Sequence, residues 1–125
     1  MGEAGTASLI PETMGDRFRV YFDHSPYGVL VADGEGRLYE ANAAACRLTG
    51  YSESELQAMR VPELHPPEIR EDVRLDFEEL RTRGFVRRRR PFLNKDGSTG
   101  WCLVNAVRVL EDRYLGYISD ITKLK

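Results

Sequence analysis

Cysteine is nearly absent from this 125-residue chain: Cys46 and Cys102 stand alone, far apart and without metal-ligand spacing. That excludes a disulfide-stapled scaffold and a cysteine-based zinc module, and it fits a reduced, cytoplasmic protein. Long apolar runs are missing too. None approaches the ~20 residues a bilayer-spanning helix needs, and the first residues lack the charged start and apolar stretch of a secretory signal. Charge of one sign does not dominate. With a formal net charge of −2, nothing in the total advertises a nucleic-acid or membrane surface as partner. Catalytic groupings are also lacking: there is no histidine–acid pair at short spacing, no glycine-rich phosphate loop and no activated cysteine. Asp33, Asp96 and Asp120 read as turn or strand-end residues. A non-enzymatic role follows.

What is present suits one soluble domain. A hydrophobic share of 42% beside 30% charged residues is ordinary for a globular chain, and the length suffices to close one core. Residues 1–13, small and polar, read as a leader or linker. Ile10, Met14, Phe18 and Tyr21/Phe22 recur at helical spacing and predict an amphipathic helix ended by Ser25-Pro26. Residues 27–33 and 37–41 read as strands around a Gly34-Glu35-Gly36 turn. Asn42 can cap a helix over 43–48 that stops at Gly50, and Ser52–Glu55 has the form of a capping box. Prolines break 60–67 into short turns. Ile69, Val73, Phe77 and Leu80 then stripe a longer helix that Gly84 ends. Three strands complete the chain, over Phe85–Leu93, 99–109 and 114–121, joined by Lys95-Asp96-Gly97 and Glu111-Asp112-Arg113. Helices bunched between runs of antiparallel strands predict an α+β fold, with the helices on one face of the sheet.

The most specific stretch is 94–122. Asn94-Lys95-Asp96-Gly97 forms a hairpin turn, and the last strand ends in Gly116-Tyr117-Ile118-Ser119-Asp120-Ile121-Thr122. With Asp33-Gly34-Glu35-Gly36 and Leu48-Thr49-Gly50-Tyr51, in this order, the chain resembles a PAS domain over about 18–122. The resemblance implies a five-stranded antiparallel sheet that encloses a small cavity with its helices. It also implies a role in sensing and interaction, with output through the segment after Asp120-Ile121-Thr122. On this reading 14–122 is the domain with its N-terminal flanking helix, and 123–125 begin a linker that continues into a kinase, cyclase or DNA-binding output domain. Asp120, Ile121 and Thr122 would be relay residues, although a plain capping turn accounts for them equally.

The same resemblance argues against two cofactors. Light-oxygen-voltage members carry a flavin-reactive cysteine before the long helix, where 61–68 has none. They also line the flavin with amide side chains at positions that here are Phe92, Cys102 and Ile118. Haem-binding members take a histidine from the long helix, and 69–83 contains none. His65, in Leu64-His65-Pro66, reads as a structural turn residue, and His24 as a surface or capping one. No metal site is expected, and the identity of any ligand stays open.

Arg87-Arg88-Arg89-Arg90 lies inside a predicted strand, so alternation turns two arginines to each face. If Phe92 faces the cavity, so do Arg88 and Arg90, and unpaired buried cations are strongly disfavoured. Three explanations compete: pairing with Asp72, Asp76 or Glu79 of the long helix, a bulge that frees both side chains to water, or a grip on a carboxylate or phosphate ligand. The candidate cavity set is therefore Arg88, Arg90, Phe92, Phe77, Val73, Cys102, Val104 and Ile118. Trp101, Leu103 and Tyr117 should form an apolar outer sheet face, covered by the helix carrying Met14, Phe18 and Phe22. The cover comes either from the same chain or across a homodimer, and the dimer is favoured. The leading expectation is a sensory and dimerisation module that binds a small molecule. The alternative is a ligand-free interaction scaffold whose cavity is filled by Phe92 or Phe77.

Overall fold

Alternation along the strands decides which surface of the sheet meets the helices, and the residues comply in register. The structure is a computed structural model that describes residues 14–124, with side chains described from residue 18. The leader reading of 1–13, Ile10 and the side chain of Met14 lie outside the described residues. The elements run α1 (Met14–His24), β1 (Gly28–Ala32), β2 (Leu38–Ala41), α2 (Ala43–Thr49), α3 (Glu53–Leu56), α4 (Arg70–Arg83), β3 (Phe85–Leu93), β4 (Thr99–Leu110) and β5 (Arg113–Asp120). Two 3-10 turns, Val61–Leu64 and Pro67–Ile69, fill the proline-broken stretch before α4. The five strands form one antiparallel sheet in the order β2-β1-β5-β4-β3. The α+β architecture expected from the sequence is the one observed.

Cross-strand pairs share a face. Leu30–Gly116–Ala106–Val86 is one such row and Ile118–Val104–Arg88 another, so these residues point to the helices. Trp101, Leu103, Tyr117 and Leu115 have the opposite parity and stand on the other face. Leu30, Ala32, Leu38, Ala41, Ala45, Leu56, Leu64 and Ile118 make the main core between sheet and helices. Leu80, Val86 and Tyr114 make a second cluster under α4.

Local chemistry sets the ends of the elements. Asn42 caps α2 through the Ala45 amide, and Gly50 closes it at φ 83°, a left-handed value that glycine reaches without strain. Ser52 and Glu55 complete the capping box on α3. Gly84 ends α4 at φ 92°. Asp33, almost wholly buried, accepts from the Glu35 amide and from the backbone and guanidinium of Arg37, closing the β1–β2 turn. Burial alone would raise its pKa. The hydrogen bonds from Arg37 and Glu35 outweigh that and hold the carboxyl below its usual range.

Several boundaries differ by a residue from the sequence reading, and two of the differences have a clear local cause. The final strand starts at Arg113, because Leu110 pairs directly with it across a two-residue turn, and it stops at Asp120, leaving Ile121 outside. Ile69 precedes α4 in a 3-10 turn, because Pro67 keeps Pro66 extended at ψ 145° and the α-helix begins only at Arg70.

Candidate functional site

Between the inner sheet face and the helices lies a cavity of about 90 Å³. Its floor is unusually shallow: Gly116 sits mid-strand on β5, flanked in register by Leu30 and Ala106. A Cβ placed on Gly116 would meet nothing within 4 Å, so the position has room for a side chain it does not carry. Glycine inside a strand costs roughly 0.5–1 kcal/mol relative to alanine, so the opening is maintained at some expense of stability.

Five of the sequence-nominated residues reach this wall: Phe77 from α4, Phe92 from β3, Cys102 and Val104 from β4, and Ile118 from β5. The other three do not. Val73, Arg88 and Arg90 line a neighbouring space of about 70 Å³ between α4 and β3, whose wall shares Phe77, Leu80 and Val104 with the first. The arginines are already engaged there. Arg90 donates to both Asp76 oxygens, at 2.8 and 2.9 Å, and Arg88 donates to Asp76 at 3.2 Å and to Glu79. Of the three explanations for the arginine strand, pairing with the long helix is the geometry found. It is a bidentate guanidinium–carboxylate clasp that ties α4 to β3.

No Lys, Arg, Asp or Glu lines this cavity, and two of its polar side chains, Thr49 and His65, are bonded to backbone. The Thr49 hydroxyl donates to the Ala45 carbonyl. His65 Nδ1–H donates to the Pro91 carbonyl at 2.8 Å, since a carbonyl can only accept. Burial pushes the Cys102 thiol up to about 12, so it stays neutral. Burial also pulls the His65 pKa below its ordinary value, against the opposing pull of the Pro91 hydrogen bond and Asp76. The sign of the linkage follows. As pH falls below about 6.5 the unfolded chain takes up a proton at His65 that the folded chain resists. Stability from this group is therefore complete above that pH and declines below it until the folded pKa is reached. Urea midpoints between pH 7.5 and 5.5 should fall more steeply for the native chain than for His65→Phe. Parallel curves would mean that His65 titrates normally in the folded protein.

Phe92 connects the cavity to the end of β5. Its ring forms part of the cavity wall, and it also borders the groove that holds Asp120, Thr122, Lys123 and Leu124. The two sides meet at Gly100. A Cβ there would lie 2.6 Å from Thr122 Oγ1 and 2.8 Å from Phe92 Cζ. Thr122 Oγ1 in turn accepts from the Trp101 amide at 3.0 Å and donates to Asp120 Oδ1, which also accepts from the Thr122 amide at 2.9 Å. Ile121 donates its amide to the Trp101 carbonyl. The three nominated relay residues thus form one capping turn, pinned to the first residues of β4.

On the outer face, Phe22 is buried against Val29 and Val31 of its own chain, with Leu115 alongside. Helix α1 therefore covers the β1 end of that face from within the chain, the first of the two covers that the sequence leaves open. Phe18 stacks on Phe22 at 5.1 Å and remains 42% exposed, close to the 40% of Tyr117, while Trp101 and Leu103 are half-buried. Arg19 fastens the helix further through Glu53 and Glu40, and pairs with Asp23 within the helix itself. The largest feature sequence reasoning missed is the second role of Asn42, which is completely buried. Besides capping α2 it accepts from the Val29 amide and donates to the carbonyls of Phe22 and Tyr27, joining α1, β1 and α2. Gly116 was missed as well, although an isolated glycine in a strand is itself a signal of close approach or open space. Among the described residues no cluster of three His, Cys, Asp or Glu side chains could hold a metal ion, and no helix is long and apolar enough to cross a membrane.

Comparison with known proteins gives consistent findings. A protein-family model described as PAS fold matches residues 22–125. The chain is 31% identical over 116 residues to the sensor histidine kinase TmoS of Ectopseudomonas mendocina, covering 87% of this chain and 12% of that protein. It is 28% identical over 118 residues to the probable diguanylate cyclase DgcE of Escherichia coli strain K12, covering 86% of this chain and 10% of that one. The chain thus spans about a tenth of the length of the curated relatives it matches. Among solved structures, the PAS domain of a Colwellia psychrerythraea protein aligns with a TM-score of 0.81 at 25% identity, covering 89% of this chain and 99% of that one.

Proposed function

The chain belongs to the PAS fold family, and from that premise we propose that it senses a small molecule in its cavity and passes the signal through Asp120, Ile121 and Thr122 to an output domain of a larger bacterial-type signalling protein. The observation that carries this reading is the position of Phe92, with the cavity on one side and the Gly100–Thr122 contact on the other. A ligand that moves the ring presses on the capping turn from which the chain leaves the sheet. Phe77, Cys102, Val104 and Ile118 complete the ligand wall. Val73, Arg88 and Arg90 act behind it, holding α4 against β3.

The output domain is a kinase or cyclase by analogy with the relatives, or a DNA-binding domain, and the site of action is the cytoplasm. The module itself is regulatory rather than catalytic. Dimerisation is part of the same proposal. Trp101, Leu103, Tyr117 and Phe18 leave an apolar surface beside α1 that a second copy, with its own α1 and Met14, would cover. A ligand-free dimerisation scaffold is the second reading, and the modest volume of the cavity favours it.

Native mass spectrometry of the purified chain tests these parts together. The expected result is a dimer that carries, or takes up, a small additional mass. A monomer would remove the dimer, and a dimer that takes up nothing across a metabolite panel would leave the scaffold.

A further inference from the structure

The cavity wall narrows the chemistry of what it can hold. Every charged side chain near it is turned away or already paired. Arg88 and Arg90, the cations nearest in the sheet, are bound by Asp76 and Glu79 in the adjoining space. Two polar side chains in the wall give hydrogen bonds to backbone carbonyls, Thr49 to Ala45 and His65 to Pro91, while the Tyr114 ring packs on Phe77 at 5.2 Å and the Cys102 thiol stays neutral. An anion entering here would lose its hydration and meet no counter-charge, which is strongly unfavourable. Water gains little as well, because it needs two to four polar partners to replace its bulk hydrogen bonds.

We propose that the sensed ligand is a small, neutral, predominantly apolar molecule seated over Gly116, and that it is neither a carboxylate nor a phosphate. This rests on the sensory reading above and sharpens it. The space of about 90 Å³ is several times what one water requires and smaller than the ~150 Å³ apolar cavities known to take benzene or xenon. Phe77 lines both this space and its neighbour, so a benzene-sized molecule is accommodated only if its ring turns aside, while Arg88 and Arg90 at the far wall of the neighbour stay held by Asp76 and Glu79. The absent side chain at Gly116 is the central feature. Nothing lies within 4 Å of its missing Cβ, so a side chain added at Gly116 enters open space at the cavity floor, and Gly116→Val is the variant that fills it.

The test is protein NMR on the 125-residue chain with four probes: xenon, benzene, acetate and benzoate. Xenon and benzene are expected to shift resonances of Leu30, Phe77, Val104 and Gly116 saturably, while acetate and benzoate leave them unmoved. Gly116→Val should weaken benzene binding at least tenfold, and Ala106→Leu, which fills the same floor from β4, provides the second variant should the first fold poorly. Benzoate or acetate shifting these residues while benzene does not would overturn the apolar assignment and leave the sensory reading standing. Benzene binding unchanged in both filled variants would place it elsewhere and overturn the proposal. If none of the four probes reaches the cavity, the apolar assignment and the ligand-sensing reading both fail.

Discussion

Asn42→Ala should lower the unfolding free energy by about 3–4 kcal/mol, a large share of the ~5–15 kcal/mol typical of a domain. The size follows from the number of partners left behind. The Asn42 amide is fully buried and makes four hydrogen bonds, accepting from Val29 and Ala45 at 2.8 and 2.9 Å and donating to Phe22 and Tyr27 at 2.7 and 2.9 Å. Alanine removes all four and strands the Val29 and Ala45 amides at the junction of α1, β1 and α2, while the Phe22 and Tyr27 carbonyls keep only their weaker bonds from Ser25. Loss of an N-cap alone costs about 1 kcal/mol, and each stranded buried group adds to it. Asn42→Asp keeps the accepted bonds and loses the donated ones, so it separates the cap from the link to α1. Urea unfolding measures both. A loss below about 1 kcal/mol for the alanine variant would mean that water replaces these bonds and that the junction is not fixed by Asn42.

Element order, turns and caps were legible because each rests on local chemistry. Gly50 and Gly84 mark left-handed helix ends, Ser52 and Glu55 form a box within four residues, and strand Phe85–Leu93 was bounded correctly by a glycine and a turn. Parity within a strand was equally readable: Phe92, Arg90 and Arg88 share a face, opposite Arg87 and Arg89. Contacts between distant elements were not legible. Sequence could nominate Asp76 and Glu79 as partners for the arginines but could not choose between that pairing and a ligand, because the choice depends on how α4 lies across β3. The second role of Asn42 and the open floor at Gly116 depend likewise on which strands become neighbours. The β2-β1-β5-β4-β3 order, which sets the first and last strands side by side, is what decides them.

A second large effect is expected from Gly100→Ala. The new methyl group would fall 2.6 Å from Thr122 Oγ1 and 2.8–2.9 Å from two atoms of the Phe92 ring, inside any tolerable contact. Phe92 is buried and packed, so the exposed Thr122 yields first. Its hydroxyl then leaves both the Trp101 amide and Asp120, and the capping turn opens. The strain of such overpacking is about 1–3 kcal/mol. In the parent protein the variant should hold the output in the state that a pushed Phe92 produces, whether or not a ligand is present. Output that still follows the signal in a folded variant would detach Thr122 from the relay.

The central claim is that occupancy of the cavity is felt at Thr122 through Phe92, and the Trp101 amide reports it most directly, since it donates to Thr122 Oγ1 at 3.0 Å. Amide hydrogen exchange at Trp101 is therefore compared with the cavity empty and with benzene bound. The account predicts roughly tenfold faster exchange at Trp101 on filling, equivalent to about 1.4 kcal/mol of lost protection. Core amides such as Val31 should slow or stay unchanged, and Gly116→Val should show no response to benzene. Unchanged exchange at Trp101, while Phe77 and Val104 report a filled cavity, would contradict the account.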